Sequence, residues 1–380
     1  MPPPRKTKKS ESQHSKRAPA AALPARNTSH VVVASTTPLH ALPLELQQAI
    51  LNVFITAFPI SHNAERLTQV TQEIKGYLFK RDFASAFGQP AYLQAYALRW
   101  SAARALGYSH ILTHPDRASI LTTTFATSVK REDDHVELQA RDLSDPIAST
   151  PPRRVSTKIG PRKVVCLGGG AGAEIVAFAT AHRQLDPKSL LEIIAVDNAD
   201  WSDSVAKIWP ALSTAPALSA HASVAAKEKI ENRPLLEDSS MVTVSFNHQD
   251  VLTWNLESMK QKMQDASLCT IMFTLNELFT MPVGSYLLVI DSPGSYSEIQ
   301  LGKTTSVDGL AMTPTTKYPM KWLLDHTLLE VARSGDKVTW KKMESEDSLW
   351  FRIDQKERDR LRYPVELENM RYQLHLYRKI

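Results

Sequence analysis

The spacing of apolar residues changes twice along the chain and divides it into three regions. Residues 1–40 are rich in Pro, Ser, Thr, Ala and Lys and show no sustained periodicity, which is typical of a disordered tail. Within residues 41–130 apolar side chains recur every three or four positions, which predicts helices. The helices are expected over residues 42–58, 63–79 and 90–107.

Residues 131–160 separate the helical region from the rest of the chain. Charged residues, Ser, Thr and three prolines dominate this segment. Such a composition is typical of a linker or a long surface loop. We therefore expect a domain boundary here, between a helical domain at 41–130 and a second domain at 161–380.

From residue 161 onward, predicted strands and helices alternate. Five short apolar runs predict strands over residues 163–167, 190–196, 242–246, 268–274 and 286–290. Helices are expected over residues 173–184, from 202 onward, and over 319–331. This alternation indicates an α/β fold with a parallel sheet covered by helices on both faces. Two late runs, 349–353 and 370–377, alternate polar and apolar residues and predict an antiparallel pair near the sheet edge.

The stretch Val164–Glu174 (VVCLGGGAGAE) joins the first strand to a helix through four glycines. Glycine permits a tight turn and a close approach of a ligand, and a helix N-terminus offers free N–H groups. Because Gly168, Gly170 and Ala173 also satisfy the dinucleotide fingerprint, the loop alone does not separate a methyltransferase from a dehydrogenase. The loop residues expected to bind a cofactor are Gly168, Gly169, Gly170, Gly172 and Glu174.

Acidic residues after the next two strands favour S-adenosylmethionine (SAM) as the cofactor. Asp197 follows the second strand, where a carboxylate accepts hydrogen bonds from both hydroxyls of a ribose. Asp250 follows the third strand, where a carboxylate accepts from an adenine amine, and the dinucleotide fingerprint has no acid there. Each acid also fits an alternative role as a helix cap. The predicted cofactor set is completed by Asn198, Val251 and Asn276.

Several longer stretches resemble the fungal 25S ribosomal RNA uridine-N3 methyltransferases, in the branch that modifies the peptidyl-transferase region. They are YLFKRDFASAFGQPAYLQAYALRWSAARALGY (77–108), CLGGGAGAEIVAFA (166–179), FTLNELFT (273–280), LLVIDSPGSYSEI (287–299) and NMRYQLHLYR (369–378). The resemblance implies a class I (Rossmann-like) fold of seven strands with an appended N-terminal helical unit. It also implies SAM as cofactor, N3 of a uridine as acceptor, ribosomal RNA or a pre-ribosomal particle as partner, and action in the nucleolus or nucleus.

Polar residues at the ends of the fourth and fifth strands are the candidates for catalysis. We predict Asn276 and Glu277 to face the substrate, with Glu277 as a base for the N3 proton, and Asp291 as the second choice. Ser292 and Tyr296 are predicted to bind the substrate, and Tyr296 suits stacking on a base. In the alternative interpretation, Glu277 and Asp291 cap helices or pair with arginines.

Net charge and composition narrow the classes of function. The net charge is +5, and residues 1–17 hold six cations against one acid. This basic segment fits a nuclear- or nucleolar-localisation signal, a contact with nucleic-acid phosphates, or a solvated disordered tail. Two groups of basic residues fit either RNA contact or ordinary surface charge. They are Lys75, Lys80, Arg81, Arg99 and Arg104 among aromatic residues, and Lys341, Lys342, Arg358, Arg360, Arg362 and Arg371 near the C-terminus.

Membrane and metal sites are not expected. No apolar run is long enough to span a membrane, and Cys166 and Cys269 lie in apolar runs at a spacing that suits no zinc site. We expect a monomer, with the cytoplasm as an alternative location. A methyltransferase acting on protein or a small molecule, and a non-catalytic scaffold or dinucleotide enzyme, are the competing classes. No function is drawn from the Ala-, Ser- and Pro-rich segment 211–240.

Overall fold

A seven-stranded mixed sheet forms the centre of the computed structural model. Its strands are β1 (Arg162–Leu167), β2 (Leu191–Asp197), β3 (Val242–His248), β4 (Ala266–Met272), β5 (Tyr286–Asp291), β6 (Trp340–Phe351) and β7 (Met370–Lys379). Their spatial order is β6-β7-β5-β4-β1-β2-β3. Strands β1 to β5 are parallel, and β7 runs antiparallel to both β5 and β6. The predicted α/β fold and its C-terminal antiparallel pair are confirmed.

The structure describes residues 42–118, 161–273, 284–294, 296–299, 305–307, 310–312, 316–334 and 337–380. The predictions for the basic tail 1–40 and for the linker 131–160 lie outside the described residues. The segment 211–240 is described, and it carries two short helical turns.

The central strands are buried on both faces, whereas the outer strands alternate. In β1 only Lys163 is not fully buried, and β5 is buried as far as Ile290. Central strands of a parallel sheet read as continuous apolar runs because helices cover both of their faces. The edge strand β3 shows exposed and covered positions in alternation along much of its length. This difference explains why the sequence pattern located the central strands most clearly.

Helices precede the sheet and connect its strands. They are α1 (Leu44–Ala57), α2 (Ala64–Phe79), α3 (Phe83–Ala86), α4 (Pro90–Tyr96), α5 (Ala102–Thr113), α6 (Ala173–Leu185), α7 (Ser202–Leu212), α8 (Val224–Glu228), α9 (Leu256–Met263), α10 (Met320–Asp325) and α11 (Gln355–Arg358). A π-helical turn at Ala97–Ser101 joins α4 to α5. A second one at His326–Val331 extends α10, so the helix predicted over 319–331 is divided in two.

Short elements complete the described structure. The 3₁₀ turns are Pro59–His62, Gly169–Ala171, Ile230–Asn232, Ser239–Met241 and Val251–Thr253. Three two-stranded ribbons pair Tyr296–Ile299 with Thr316–Pro319, Thr305–Val307 with Leu310–Met312, and Arg333–Ser334 with Lys337–Val338.

The N-terminal helices and the sheet share one core. Helix α5 packs along α6, and buried side chains of both helices belong to one cluster with residues of β1 and β2. Leu106 and Ile111 of α5 have no exposed surface. A second, smaller cluster that includes Leu328 covers the opposite face of the sheet. The described helices before residue 119 therefore form one layer of the same compact unit as the sheet, while the predicted boundary at 131–160 stays a prediction.

Candidate functional site

The carboxyl ends of the five parallel strands meet at one edge of the sheet. β1 runs into the glycine loop, β2 ends at Asp197, and β3 continues to Asp250. On the other side β4 ends before Phe273 and β5 ends at Asp291. In an open α/β sheet, ligands bind outside this edge at the point where the strand order reverses. That point lies between β1 and β4 in this sheet.

The glycine loop needs glycine for two separate physical reasons. Gly168 and Gly172 have φ values of 76° and 86°, a left-handed conformation that other residues adopt at a cost. At Gly170 the obstacle is space, because a Cβ atom would lie 2.2 Å from Cδ1 of Trp201. Gly172 is the N-cap of helix α6 and provides no side-chain cap, which leaves N–H groups of the first turn available at this edge.

Asp197 closes the loop and presents a carboxylate at the same edge. Its Oδ2 accepts a hydrogen bond from the Gly170 N–H at 3.2 Å, and its Oδ1 accepts from the Ala199 N–H at 3.1 Å. Burial raises the pKa of Asp197, while these hydrogen bonds and the nearby Trp201 indole oppose that rise. Asp197 thus presents carboxylate oxygens, which are hydrogen-bond acceptors suited to the hydroxyls of a ribose, at the edge where a ligand would bind.

The end of β3 lies beside the end of β2. The Gln249 N–H donates to the Asp197 carbonyl at 2.8 Å, and the Asn198 carbonyl contacts Nε2 of His248 at 3.1 Å. Asp250 follows directly and caps the 3₁₀ turn Val251–Thr253 by accepting from the Leu252 N–H at 2.9 Å. The capping role and the predicted adenine contact are compatible, because the cap uses one carboxylate oxygen. Val251 is half-buried within that turn.

Glu174 lies behind the glycine loop. Its side chain is 3% exposed and accepts a hydrogen bond from Oγ1 of Thr270 on β4. A Cβ atom at Gly169 would lie 2.9 Å from Oε2 of Glu174, so the carboxyl group packs directly against the buried side of the loop. Burial raises the pKa of Glu174 to about 8, against the lowering effect of the Thr270 bond. The predicted cofactor contact of this residue stays a prediction.

These residues fit the chemistry of SAM. The glycine loop allows close approach of a ligand, the uncapped start of α6 offers N–H groups to a carboxylate, and Asp197 offers acceptors to a diol. The residues that would hold the cofactor are Gly168, Gly169, Gly170, Gly172, Asp197, Asn198, Asp250 and Val251.

The structure locates two of the predicted substrate-side residues. Asp291 ends β5 half-buried, and its Oδ1 accepts from the Ser292 N–H at 2.7 Å. The Ser292 carbonyl accepts from Nε2 of Gln373 on β7 at 2.9 Å. Asn276 and Glu277 lie outside the described residues, as does the side chain of Tyr296. The roles of all five in catalysis or substrate binding stay predictions.

A cavity at this edge involves residues that the sequence did not assign to it. It has a volume of about 150 Å³ and adjoins the end of β4 and the start of β7. Its lining residues are Trp100, Ala103, Arg104, Phe273, Glu368, Asn369, Met370 and Arg371. Phe273 has a φ of 60°, an uncommon conformation for a non-glycine residue and one found at functional sites.

The N-terminal helices thus supply part of the predicted active edge. Arg104 and Tyr108 belong to α5, and the Tyr108 ring lies tilted against that of Phe273 at a centroid distance of 6.5 Å. The sequence pattern places Arg104 in the helical domain at 41–130, apart from the predicted site. Its position among basic and aromatic residues is the only sequence signal that favours a ligand contact there. Its position here depends on the packing of α5 against α6, which local periodicity does not encode.

Three of the six C-terminal basic residues predicted to meet RNA have partners that hold them within the protein. Lys342 pairs with Asp325, Arg358 donates to the Leu367 carbonyl and to Asn369, and Arg362 pairs with Glu231. Arg371 donates to Oγ of Ser348 at 3.1 Å, and it also lines the cavity and is exposed beside Trp350.

The described residues show neither a membrane-spanning helix nor a cluster of metal ligands. None of their helices has the length and apolar character needed to cross a membrane. Within the same ranges, no three His, Cys, Asp or Glu side chains come together as ligands for a metal ion.

Comparison with known proteins gives two matches. A family model described as "Putative SAM-dependent methyltransferase" matches residues 54–378. The chain is 28% identical over 389 aligned positions to a Saccharomyces cerevisiae protein named 25S rRNA (uridine(2843)-N(3))-methyltransferase. That alignment covers 90% of this chain and 88% of the yeast protein, so it includes both the N-terminal helices and the sheet.

Proposed function

The chain belongs to this family of SAM-dependent methyltransferases, and on that basis we propose that it methylates N3 of a uridine in large-subunit ribosomal RNA. The observation that carries the proposal is the similarity to the yeast 25S rRNA uridine-N3 methyltransferase along nearly the whole of both chains. A match limited to the glycine loop would support only the cofactor. The similarity extends over the π-helical turn Ala97–Ser101, α5 and β7, whose residues line the cavity.

The chemistry requires removal of one proton and alignment of two atoms. SAM, when bound, supplies a methyl group on a sulfonium. The N3–H proton of the uridine passes to a carboxylate, for which Glu277 and Asp291 are the candidates. The cofactor, held by the glycine loop and Asp197, would give its methyl group to the N3 electron pair, and its sulfur would leave as a neutral thioether. Orientation of the two reactants supplies a large share of the acceleration.

The acceptor atom lies on the pairing edge of the base. The target uridine must therefore be unpaired or turned out of its helix before it reacts. A cavity of about 150 Å³ is smaller than a typical ligand pocket of roughly 300 Å³ or more. This size suits a single base better than a whole nucleotide, and the phosphates would then remain outside.

An exposed aromatic and cationic surface lies on the rim of the cavity. Trp350 is 46% exposed, with Cζ of Arg352 4.8 Å and Cζ of Arg371 5.8 Å from the centroid of its ring. Arg371 also lines the cavity. Aromatic rings stack on unpaired bases, and arginines contact phosphates, so this surface suits single-stranded RNA next to a flipped base. We place the protein, as a monomer, in the nucleolus or nucleus with ribosomal RNA or a pre-ribosomal particle.

The direct test is methyl transfer by the purified protein. Incubation with SAM and protein-free large-subunit RNA, followed by nucleoside mass spectrometry, is expected to give 3-methyluridine. Radiolabelled transfer to protein or to small molecules in a cell extract, with none to RNA, would overturn the assignment. A thermal-shift titration that shows stabilisation by NAD and not by SAM would overturn the cofactor as well.

A further inference from the structure

Arg104 is a cation without a carboxylate partner among the described residues. Its Nη1 donates to the hydroxyl of Tyr96 at 2.9 Å, and this is its one hydrogen bond in the described part of the chain. Other arginines close to the N-terminal helices have an acid within 4.0 Å: Arg99 pairs with Glu368 and Arg117 with Glu344. Glu368 lines the same cavity and acts on Arg104 from a longer distance, but its close ion pair is with Arg99. A half-buried guanidinium without a close ion pair is costly. The arrangement therefore indicates a negatively charged ligand at Arg104.

The guanidinium is held in place by aromatic rings. Its Cζ lies 5.0 Å from the ring centroid of Phe273 and 5.8 Å from that of Tyr96. Burial acts against its charge, but the neighbouring Tyr96 and Tyr108, together with the carboxylate of Glu368, outweigh burial and raise the pKa of Arg104. The group is therefore a fixed positive charge in a partly desolvated cavity. A preorganised charge of this kind stabilises a developing anion better than water does.

A short chain of ring contacts connects Arg104 to the cofactor loop. Tyr96, which holds Arg104, lies 5.7 Å from the ring of Trp201. Trp201 in turn packs directly against Gly170. On the other side, burial raises the pKa of Tyr108, Arg104 opposes the rise, and the carboxylates of Glu174 and Asp291 add to it. Arg104 is thus connected to the cofactor loop through Tyr96 and Trp201, and it contacts Phe273 at the end of β4.

We propose that Arg104 is a catalytic residue that stabilises the negative charge developing on the target uracil as N3 loses its proton. The inference rests on the proposed function and deepens it. Deprotonation at N3 spreads negative charge over the two flanking carbonyl oxygens, and the guanidinium presents several N–H donors in one plane. Tyr96 uses one of these donors, which leaves the others for the base.

The test compares wild-type protein with Arg104→Gln on two RNA substrates, one with uridine at the target and one with 5-fluorouridine. Fluorine makes the N3 proton more acidic, so formation of the N3 anion depends less on stabilisation by Arg104. We expect kcat on uridine RNA to fall by roughly 10²- to 10³-fold, the effect of removing one anion-stabilising donor. The rate ratio of 5-fluorouridine to uridine is expected to be higher in the variant than in the wild type. Because both rates come from the same preparation, partial misfolding cancels in this ratio.

The matched control is Arg66→Gln, which removes an exposed arginine of α2 that donates to Gln69 and lies away from the cavity lining. It is expected to keep kcat near the wild-type value, and the dissociation constant for SAM is expected to stay unchanged in both variants. Partial recovery of Arg104→Ala activity on addition of guanidinium would give further support, because a purely structural defect would not respond.

Two results would overturn the inference. An unchanged rate ratio, with or without a lower rate, would show that Arg104 does not act on the anion. A higher KM with normal kcat and a salt slope reduced by about one would identify Arg104 as a phosphate contact instead. If wild-type protein forms 3-methyluridine and either result appears, the inference alone fails. If wild-type protein forms none, the proposed function fails and the inference falls with it.

Discussion

At the scale of single residues, Asp197 has two roles at the end of β2. It accepts backbone hydrogen bonds that shape the glycine loop, and it presents its remaining acceptors at the cofactor edge. The substitution Asp197→Asn keeps the shape but removes the charge. Since a hydrogen bond to a charged group contributes about 1.5–3 kcal/mol, we expect the dissociation constant for SAM to rise roughly 10- to 100-fold. Isothermal titration calorimetry measures this change.

The control for that prediction is Asp203→Asn. Asp203 pairs with Lys207 on the exposed face of α7 and has no contact with the loop. We expect this variant to bind SAM like the wild type. Unchanged affinity in Asp197→Asn would remove Asp197 from the cofactor site.

The raised pKa of Glu174 predicts that the stability of the folded protein depends on pH. Burial raises its pKa to about 8 in the folded protein, whereas a glutamate in the unfolded chain titrates near 4.3. Between these pH values the folded state binds more protons, so the free energy of unfolding falls as pH rises. The substitution Glu174→Gln removes this titration, and urea denaturation at a series of pH values is expected to show a flatter profile from pH 5 to 8. The control is Glu257→Gln, at an exposed position of α9, which is expected to keep the wild-type pH profile. Parallel pH profiles for Glu174→Gln and the wild type would contradict the account.

At the scale of elements, the turn between β1 and α6 is set by close packing. A Cβ atom at Gly170 would lie 2.2 Å from Trp201 and 2.9 Å from Cβ of Asp197. We expect Gly170→Ala to lower the free energy of unfolding by about 1–3 kcal/mol and to weaken SAM binding. Chemical denaturation and calorimetry give both quantities.

Gly76→Ala is the matched control because Gly76 lies on the exposed face of α2. A Cβ atom there meets nothing within 4 Å. Alanine in a helix interior is more favourable than glycine by about 0.5–1 kcal/mol, so this variant is expected to be more stable. If the two variants behaved alike, the packing argument at Gly170 would be wrong.

Elements also show where sequence analysis succeeds and where it stops. The central strands were predictable because burial on both faces leaves a continuous apolar run, and Asp197 was predictable because it follows such a run directly. The placement of α5 at the active edge was not, since it depends on packing against α6. The left-handed backbone at Phe273 follows from its surroundings in the fold, and the residue type alone gives no sign of it.

At the scale of the whole molecule, the sheet depends on the N-terminal helices. Side chains of α1 and α5 belong to the same buried cluster as α6 and β1. Removing residues 1–160 would expose that face of α6, and apolar area taken out of water contributes about 25 cal/mol per Å². We expect the fragment 161–380 to lack a cooperative unfolding transition in circular dichroism. A fragment that melts cooperatively near the temperature of the full chain would show that the helices are dispensable.

The central claim is that this methyltransferase acts on N3 of a uridine in large-subunit ribosomal RNA. Its most direct test is nucleoside mass spectrometry of that RNA from cells that lack the protein, complemented with wild type or with Asp197→Ala. We predict that 3-methyluridine decreases in the deletion, returns with wild type, and does not return with the variant. An unchanged amount of 3-methyluridine in the deletion, together with loss of a methyl group elsewhere, would contradict the account.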